Sequence, residues 1–267
     1  MSRVDTVLRG LRAEGKKALV SFITAGDPEP GVTAPALLAL ARSGADVLEV
    51  GMPFSDPEAE GPSIQASSER ALRAGTRFVD VLNAVRDFRR EDTTTPIVLM
   101  GYLNNVERMG YESFADAIAD AGVDGLIMVN LPPEEASSLR SLLLERDIDL
   151  IFLSAPTTTP GRLDKICAAA SGFVYYVSLK GVTGANHLDP TTITEQVERI
   201  RQRTDLPVMV GFGIKTGELA GLVAPLSDGI VVGSALVDVM SEHASNPETI
   251  PAALAMKVAE FRVAIDN

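Results

Sequence analysis

The chain contains 267 residues, of which 46% are hydrophobic, so it has enough apolar surface for a large core and is not an intrinsically disordered protein. Asp and Glu outnumber Lys and Arg by 36 to 24, which gives a formal net charge of −12. This charge repels phosphate backbones and anionic lipids, so we expect neither nucleic acid nor a membrane as partner, whereas a small anion can still bind to backbone N–H groups and a helix N-terminus.

The chain begins with a charged and periodic segment, which predicts a helix from about Val4 to Glu14 rather than a signal peptide. No apolar run in the sequence approaches the roughly 20 residues that span a membrane. We therefore expect a soluble, cytoplasmic protein.

Eight short apolar runs follow this helix. They are ALVSFITAG from Ala18, DVLEVG from Asp46, PIVLMGY from Pro96, GLIMVN from Gly125, DLIFLS from Asp149, FVYYVS from Phe173, PVMVGFG from Pro207 and GIVVGS from Gly229. Continuous apolar runs are typical of strands in a parallel sheet that is covered on both faces. Amphipathic helical segments such as TAPALLALARSGA lie between the runs, and PETIPAALAMKVAEFRVAI predicts a closing helix.

The repeated order of strand and helix predicts a single (β/α)8 barrel, or TIM barrel, that spans residues 1–267 as one domain. A doubly wound sheet is the alternative fold. The widest gap between strands runs from Gly51 to Pro96 and begins with PFSDPEAEGPSIQ. Loops that follow barrel strands form the active-site face, so this segment is a candidate part of the site.

Acidic residues in and after the second apolar run are the first candidates for chemistry. Glu49 interrupts DVLEVG near its C-terminal end. If its side chain points into the barrel mouth, burial raises its pKa towards the range of a general acid and base; the alternatives are a basic partner or a solvated side chain. Asp56, Glu58 and Glu60 follow in the next loop, where a solvated surface acid is the default interpretation of each.

Glycine-bearing segments follow the last three runs: GVTGA at 181–185, GFG at 211–213 and VVGS at 231–234. Such loops, with a nearby helix N-terminus, form the recurrent phosphate site of this fold, although any one of these glycines alone is an ordinary turn residue. The single Cys167, with only His187 and His243, forms no zinc-binding pattern, so we expect no metal. Cys167 is interpreted as a small buried residue on a helix.

The segment PFSDPEAEGPSIQ resembles the characteristic segment of the tryptophan synthase alpha chain family, and the resemblance extends over nearly the whole chain. FITAGDP, MGY, AGVDG, LPPEE, YYVSLKGVTGA and VVGSA also occur in the family's order. The resemblance implies a TIM-barrel lyase of tryptophan biosynthesis that cleaves indole-3-glycerol phosphate to indole and glyceraldehyde 3-phosphate. This retro-aldol reaction requires neither a metal nor a Schiff-base lysine.

The resemblance also implies the catalytic residues. Glu49 matches the family's catalytic glutamate, which protonates the indole ring at C3. Glu60 stands where the family has an aspartate that contacts the indole N–H, so the charge is kept on a side chain that is one methylene longer. Thr183 matches the loop residue that hydrogen-bonds this acid. A misplacement of about 1 Å can cost on the order of a hundredfold in rate, so Glu60 puts full activity in question.

Binding residues are implied in the same way. The substrate-binding residues are Phe22, Tyr175, Thr183 and Phe212, and the phosphate-binding residues are Gly184, Gly213, Gly233 and Ser234. Barrel packing is the alternative role for Phe22 and Tyr175, and a helix N-cap is the alternative for Ser234. The sequence departs from the family at Asn130, where aspartate is usual, at Asn105, where proline is common, and at Glu58, where an apolar residue is usual.

A beta subunit is the partner that the resemblance implies. It holds pyridoxal phosphate, receives indole and forms an alpha2beta2 heterotetramer with this chain, which itself carries no cofactor. Two alternatives stay open. Glu60 and Asn130 favour an impaired or inactive homologue that acts as a beta-subunit activator or scaffold. The other is a different phosphosugar lyase or isomerase on the same fold, such as a Schiff-base aldolase that uses Lys180 or Lys215.

Overall fold

The structure is a computed structural model and describes residues 1–178, 190–211 and 213–267. Within these residues, eight parallel strands form a closed barrel in chain order, with the last strand paired to the first. The strands are β1 (Ala18–Thr24), β2 (Val47–Gly51), β3 (Ile97–Gly101), β4 (Gly125–Met128), β5 (Asp149–Ser154), β6 (Val174–Val177), β7 (Val208–Gly211) and β8 (Gly229–Val232).

The described helices surround this barrel. They are α1 (Arg3–Ala13), α2 (Thr33–Arg42), α3 (Pro62–Arg73), α4 (Phe78–Arg89), α5 (Asn104–Met109), α6 (Tyr111–Ala121), α7 (Ser137–Leu144), α8 (Pro160–Ala169), α9 (Pro190–Arg201), α10 (Gly217–Val223), α11 (Ser234–Glu242) and α12 (Ile250–Asp266). Among the residues that the structure describes, no helix combines the length and apolar character that crossing a bilayer requires.

The predicted TIM barrel with an additional N-terminal helix is confirmed. The doubly wound alternative is wrong, because the sheet closes on itself. Each of the eight predicted runs contains a strand, and the long gap after β2 holds α3 and α4. Cys167 is buried on α8, as predicted. That residues 1–267 form a single domain stays a prediction.

Side chains from alternate strand positions fill the barrel interior. Val47 of β2 and Val98 of β3 belong to an interior cluster that also contains Val4 and Leu8 of α1. Helix α1 therefore closes the N-terminal end of the barrel. Because side chains alternate along a strand, the register that places Val47 inside also places Glu49 inside, two residues closer to the C-terminal end.

A second apolar layer lies between the barrel and the helices. Leu48 and Leu99 belong to this layer, together with Phe88 of α4 and Phe114 of α6, and all four side chains are fully buried. Helix α12 packs against α2 and closes the ring of helices beside β1. Strands covered on both faces explain why the predicted runs are apolar without polar alternation.

Candidate active site

The C-terminal ends of the strands surround a cavity of about 410 Å³. Seven of the ten residues predicted for the site line it: Phe22, Glu49, Glu60, Tyr175, Gly213, Gly233 and Ser234. The other three, Thr183, Gly184 and Phe212, lie outside the described residues. The volume falls in the range of pockets that enclose a small organic ligand.

Glu49 is buried near the C-terminal end of β2, where it pairs in register with Phe22 of β1 and Val98 of β3. Its Oε2 atom is buried and has no hydrogen-bond partner among the described residues. Burial, followed by repulsion from Glu60, raises the pKa of Glu49 to about 8. This environment contradicts both alternative interpretations of Glu49, a basic partner among the described residues and a solvated side chain. The carboxyl group is therefore mostly protonated at neutral pH and can act as a general acid.

Glu60 reaches the same cavity from the loop between β2 and α3. Its side chain is half-buried, and burial raises its pKa to about 7. Asp56 and Glu58 in the same loop are exposed, as the default interpretation predicts. Of the three loop acids that sequence spacing did not distinguish, the structure brings only Glu60 to the cavity.

Tyr102, just after β3, holds the loop that carries Glu60. Its hydroxyl oxygen accepts a hydrogen bond of 3.2 Å from the Ala59 N–H, and its ring stacks on Phe54 with 4.9 Å between centroids. The side-chain amide of Gln65 donates a 3.0 Å hydrogen bond to the Glu60 carbonyl. The sequence alone does not indicate this role for Tyr102, because the contact joins segments that are far apart in the chain.

Two glycines make room for the aromatic side chains of the cavity. A Cβ atom at Gly51 would lie 2.7 Å from the Phe22 ring, and a Cβ atom at Gly211 would lie 2.5 Å from the Tyr175 hydroxyl oxygen. Burial, with a smaller effect of the two neighbouring glutamates, raises the pKa of Tyr175 well above its usual value, so its phenol stays neutral. Tyr175 belongs to the interior cluster as well as to the cavity wall, so barrel packing and pocket lining coincide in this residue.

The backbone after β7 and β8 forms another part of the cavity wall. Gly213 has a φ of +83°, in the left-handed region that favours glycine. Gly233 is the N-cap of α11 and Ser234 is its first residue, so the N-cap alternative for Ser234 is wrong by one position. The N-terminus of α11, with its free N–H groups, therefore borders the cavity.

The sequence analysis gave no binding role to four polar residues of the cavity wall. Ser63 lines the cavity from the start of α3, Ser154 from the end of β5, Thr158 from the loop after β5, and Lys215 from the loop after β7. Serine and threonine in a loop carry no distinguishing pattern, and Lys215 was considered only as a Schiff-base candidate. Nearby, the Asn130 side-chain oxygen accepts a 2.8 Å hydrogen bond from the Leu103 N–H and so links the loops after β4 and β3. Within the described ranges, no three His, Cys, Asp or Glu side chains are grouped to hold a metal ion.

A closed parallel barrel that presents a helix N-terminus and a buried glutamate, unpaired among the described residues, to one cavity at its C-terminal mouth defines an α/β-barrel enzyme of the acid–base type. The family follows from comparison with known proteins. The family model described as Tryptophan synthase alpha chain matches residues 8–266. The chain belongs to the tryptophan synthase alpha chain family.

Individual relatives agree with this assignment over nearly their full lengths. The chain is 52% identical over 266 residues to the tryptophan synthase alpha chain of Thioalkalivibrio sulfidiphilus, with 100% of both chains covered. It is 51% identical to that of Nitrosococcus oceani, with 100% of this chain and 98% of the relative covered. The crystal structure of tryptophan synthase subunit alpha from Legionella pneumophila superimposes with a TM-score of 0.92 at 44% identity and covers 100% of this chain and 99% of that one. The predicted family is confirmed, and with it the assignment as a lyase, whereas the inactive alternative receives no support.

Proposed function

We propose that this chain cleaves indole-3-glycerol phosphate to indole and glyceraldehyde 3-phosphate, with Glu49 as the catalytic acid and base. The observation that carries the proposal is the buried carboxyl group of Glu49. This residue lines the cavity, and its pKa is raised to about 8. Asp27, another buried carboxylate near the mouth, is instead paired with Arg70 through hydrogen bonds of 2.7 and 2.8 Å. An unpaired buried acid costs stability, and a catalytic role accounts for its presence.

Proton transfer from Glu49 to C3 of the indole ring turns the ring into an electron sink. The bond between C3 and the glycerol chain then breaks, and its electron pair returns to the ring to give indole. The hydroxyl group on the carbon released from C3 loses its proton as that carbon becomes the aldehyde. The carboxylate that the first step leaves on Glu49 accepts this proton, so the residue returns to its starting state.

Glu60 stabilises the positive charge that develops at the indole nitrogen. Repulsion from Glu60 adds to burial in raising the pKa of Glu49, so a negative charge on Glu60 favours the protonated form that Glu49 needs as an acid. Phe22, Tyr175, Thr183 and Phe212 complete the substrate pocket, and Gly184, Gly213, Gly233 and Ser234 bind the phosphate. Backbone N–H groups at a helix N-terminus are suited to that anion.

We also propose a tryptophan synthase beta subunit as partner, in a cytoplasmic alpha2beta2 assembly. The beta subunit carries pyridoxal phosphate, whereas this chain binds no cofactor. Family membership supports this partner.

Indole release from indole-3-glycerol phosphate by the purified chain, with and without a beta subunit, tests the proposal. We expect release that rises when the beta subunit is added. No release in either condition, from a chain that still binds the beta subunit, would favour the scaffold alternative. Borohydride with substrate should trap nothing on Lys215, and a covalent adduct there, or on Lys180, would overturn the proton-transfer mechanism in favour of a Schiff-base aldolase.

A further inference from the structure

The cavity wall combines two acids with one described cation. Among the described residues that line it, Glu49 and Glu60 are acidic and Lys215 alone is basic. Lys215 follows Gly213 by two positions and so belongs to the loop assigned to the phosphate. A substrate phosphate is a dianion that approaches a chain of net charge −12, so a cation at this position lowers the electrostatic cost of binding.

Lys215 has an acidic neighbour that competes for its charge. Its Nζ atom lies 3.5 Å from Oδ2 of Asp238, and the two side chains are 57% and 41% exposed. Asp238 lies four residues after Ser234 on α11, and residues four apart lie on the same helix face. The rise between them is about 6 Å. Rotation of the flexible lysine side chain can therefore carry its ammonium group from Asp238 to the N-terminus of α11.

Asp238 is not left isolated when Lys215 moves. Its carboxylate is partly exposed to water, and it also lies within electrostatic reach of Arg70. Hydrogen bonds to Asp27 are the main cause of the raised pKa of Arg70, and Asp238 adds a smaller increase. A long and exposed ion pair contributes little stability. Exchange of this pair for a charge-assisted contact with a phosphate dianion is therefore favourable.

We infer that Lys215 is a further binding residue for the substrate phosphate, and that Asp238 competes with the phosphate for the Lys215 ammonium group. The inference rests on the proposed function for the identity of the phosphate ester. In the free protein Asp238 pairs with Lys215 at the rim of the cavity, and the incoming phosphate replaces Asp238 as the partner of the Lys215 ammonium group. Loss of Lys215 and loss of the Asp238 charge must then change phosphate affinity in opposite directions, which general damage to the fold would not do.

Calorimetric titration of the full chain with glycerol 3-phosphate at low salt tests the inference. Lys215→Gln should raise the Kd about fivefold, and Asp238→Asn should lower it about twofold. Asp238→Asn should have no effect in the Lys215→Gln background, because the two residues act through one contact. The matched control is Lys165→Gln, which removes an exposed lysine that pairs with Glu134 and does not line the cavity; it should keep the parental Kd.

Salt and kinetics give independent readouts. The Kd of the parent should rise with ionic strength more steeply than that of Lys215→Gln. In the indole-release assay Lys215→Gln should raise KM with little change in kcat, and Lys215→Arg should restore most of the lost affinity. Equal Kd values for Lys215→Gln and Lys165→Gln, or weaker binding by Asp238→Asn, would overturn the inference.

The inference and the proposed function can fail separately. A parent that releases indole but binds glycerol 3-phosphate independently of Lys215 keeps the proposed function and loses the inference. A parent that binds glycerol 3-phosphate through Lys215 but releases no indole keeps the inference and loses the proposed function.

Discussion

At the N-terminal end of the barrel, aspartates are paired with backbone and arginine donors, whereas the structure gives the carboxyl groups of two glutamates at the C-terminal mouth no such donor among the residues that it describes. Asp46, Asp124 and Asp228 each precede a strand and accept a hydrogen bond from the start of the preceding strand. The donors are the N–H groups of Leu19, Ile97 and Val208, at 2.8, 2.8 and 2.9 Å respectively. Arginine side chains complete the pairing, with Arg262 beside Asp46, Arg3 and Arg89 beside Asp124, and Arg201 beside Asp228.

The glutamates at the mouth have the opposite surroundings. Glu49 is as buried as Asp124, but no described residue donates a hydrogen bond to its Oε2 atom. Burial raises the pKa of Glu49 to about 8 and that of Glu60 to about 7. Pairing, rather than burial, therefore separates the acids that stabilise this barrel from the acids that are available for chemistry.

The largest expected effect follows from removing the unpaired acid. Glu49→Gln keeps the shape of the side chain but cannot transfer a proton, so we expect indole release to fall about a thousandfold. Steady-state measurement of indole from indole-3-glycerol phosphate checks this. The matched control is Glu58→Gln, which neutralises an exposed acid of the neighbouring loop and should change the rate by less than about twofold. Similar rates for the two variants would remove Glu49 from the mechanism.

The contrast between the two ends also separates what the sequence reveals from what it hides. Eight apolar runs were enough to predict the barrel, and an acid inside one of them was enough to single out Glu49. The aspartate pairs were not predictable, because each joins neighbouring strands that are about 20 or more residues apart in the chain. The hydrogen bond from the Ala59 N–H to the Tyr102 hydroxyl oxygen was not predictable for the same reason. The apolar pattern predicts which face of the sheet a residue occupies. It does not predict which hydrogen-bond donor lies beside that residue once the barrel has closed.

The next largest effect concerns the paired aspartates at the N-terminal end of the barrel. Asp124→Asn leaves the nearly buried Arg89 without its carboxylate, so we expect the free energy of unfolding to fall by about 3 kcal/mol. Urea unfolding measures this loss, and kcat at a temperature where the variant is folded should stay near the parental value. Asp87→Asn, which breaks an exposed pair with Arg90, should cost less than about 0.5 kcal/mol. A kcat that fell together with stability would contradict a purely structural role for Asp124.

The pH dependence of stability at the C-terminal mouth gives an effect that is smaller per pH unit than the loss expected for Asp124→Asn. The folded-state pKa of Glu49 is raised from 4.5 to about 8, so the folded protein binds a proton that the unfolded chain has released between these values. The stability contributed by protonated Glu49 is therefore complete below about pH 4.5 and is lost as pH rises through about 8. Glu49→Gln lacks this titration, so its stability relative to the parent should improve by about 1.4 kcal/mol per pH unit in that window. Melting temperatures of both proteins across the window check the sign, and parallel curves would show that Glu49 is not protonated at neutral pH.

The smallest effect tests whether Glu60 belongs with Glu49. Glu60→Asp shortens the side chain by one methylene while keeping its charge, so we expect kcat to stay at the parental value or to rise by up to about tenfold. Glu60→Ala removes the carboxylate that stabilises the charge at the indole nitrogen and should lower kcat by about a hundredfold. Glu60 is half-buried and its pKa is raised by burial alone, so neither substitution should destabilise the fold as Asp124→Asn does. If Glu60→Ala released indole as fast as the parent, an unpaired environment at the mouth would not be sufficient to identify a catalytic acid, and Glu49 alone would carry the chemistry.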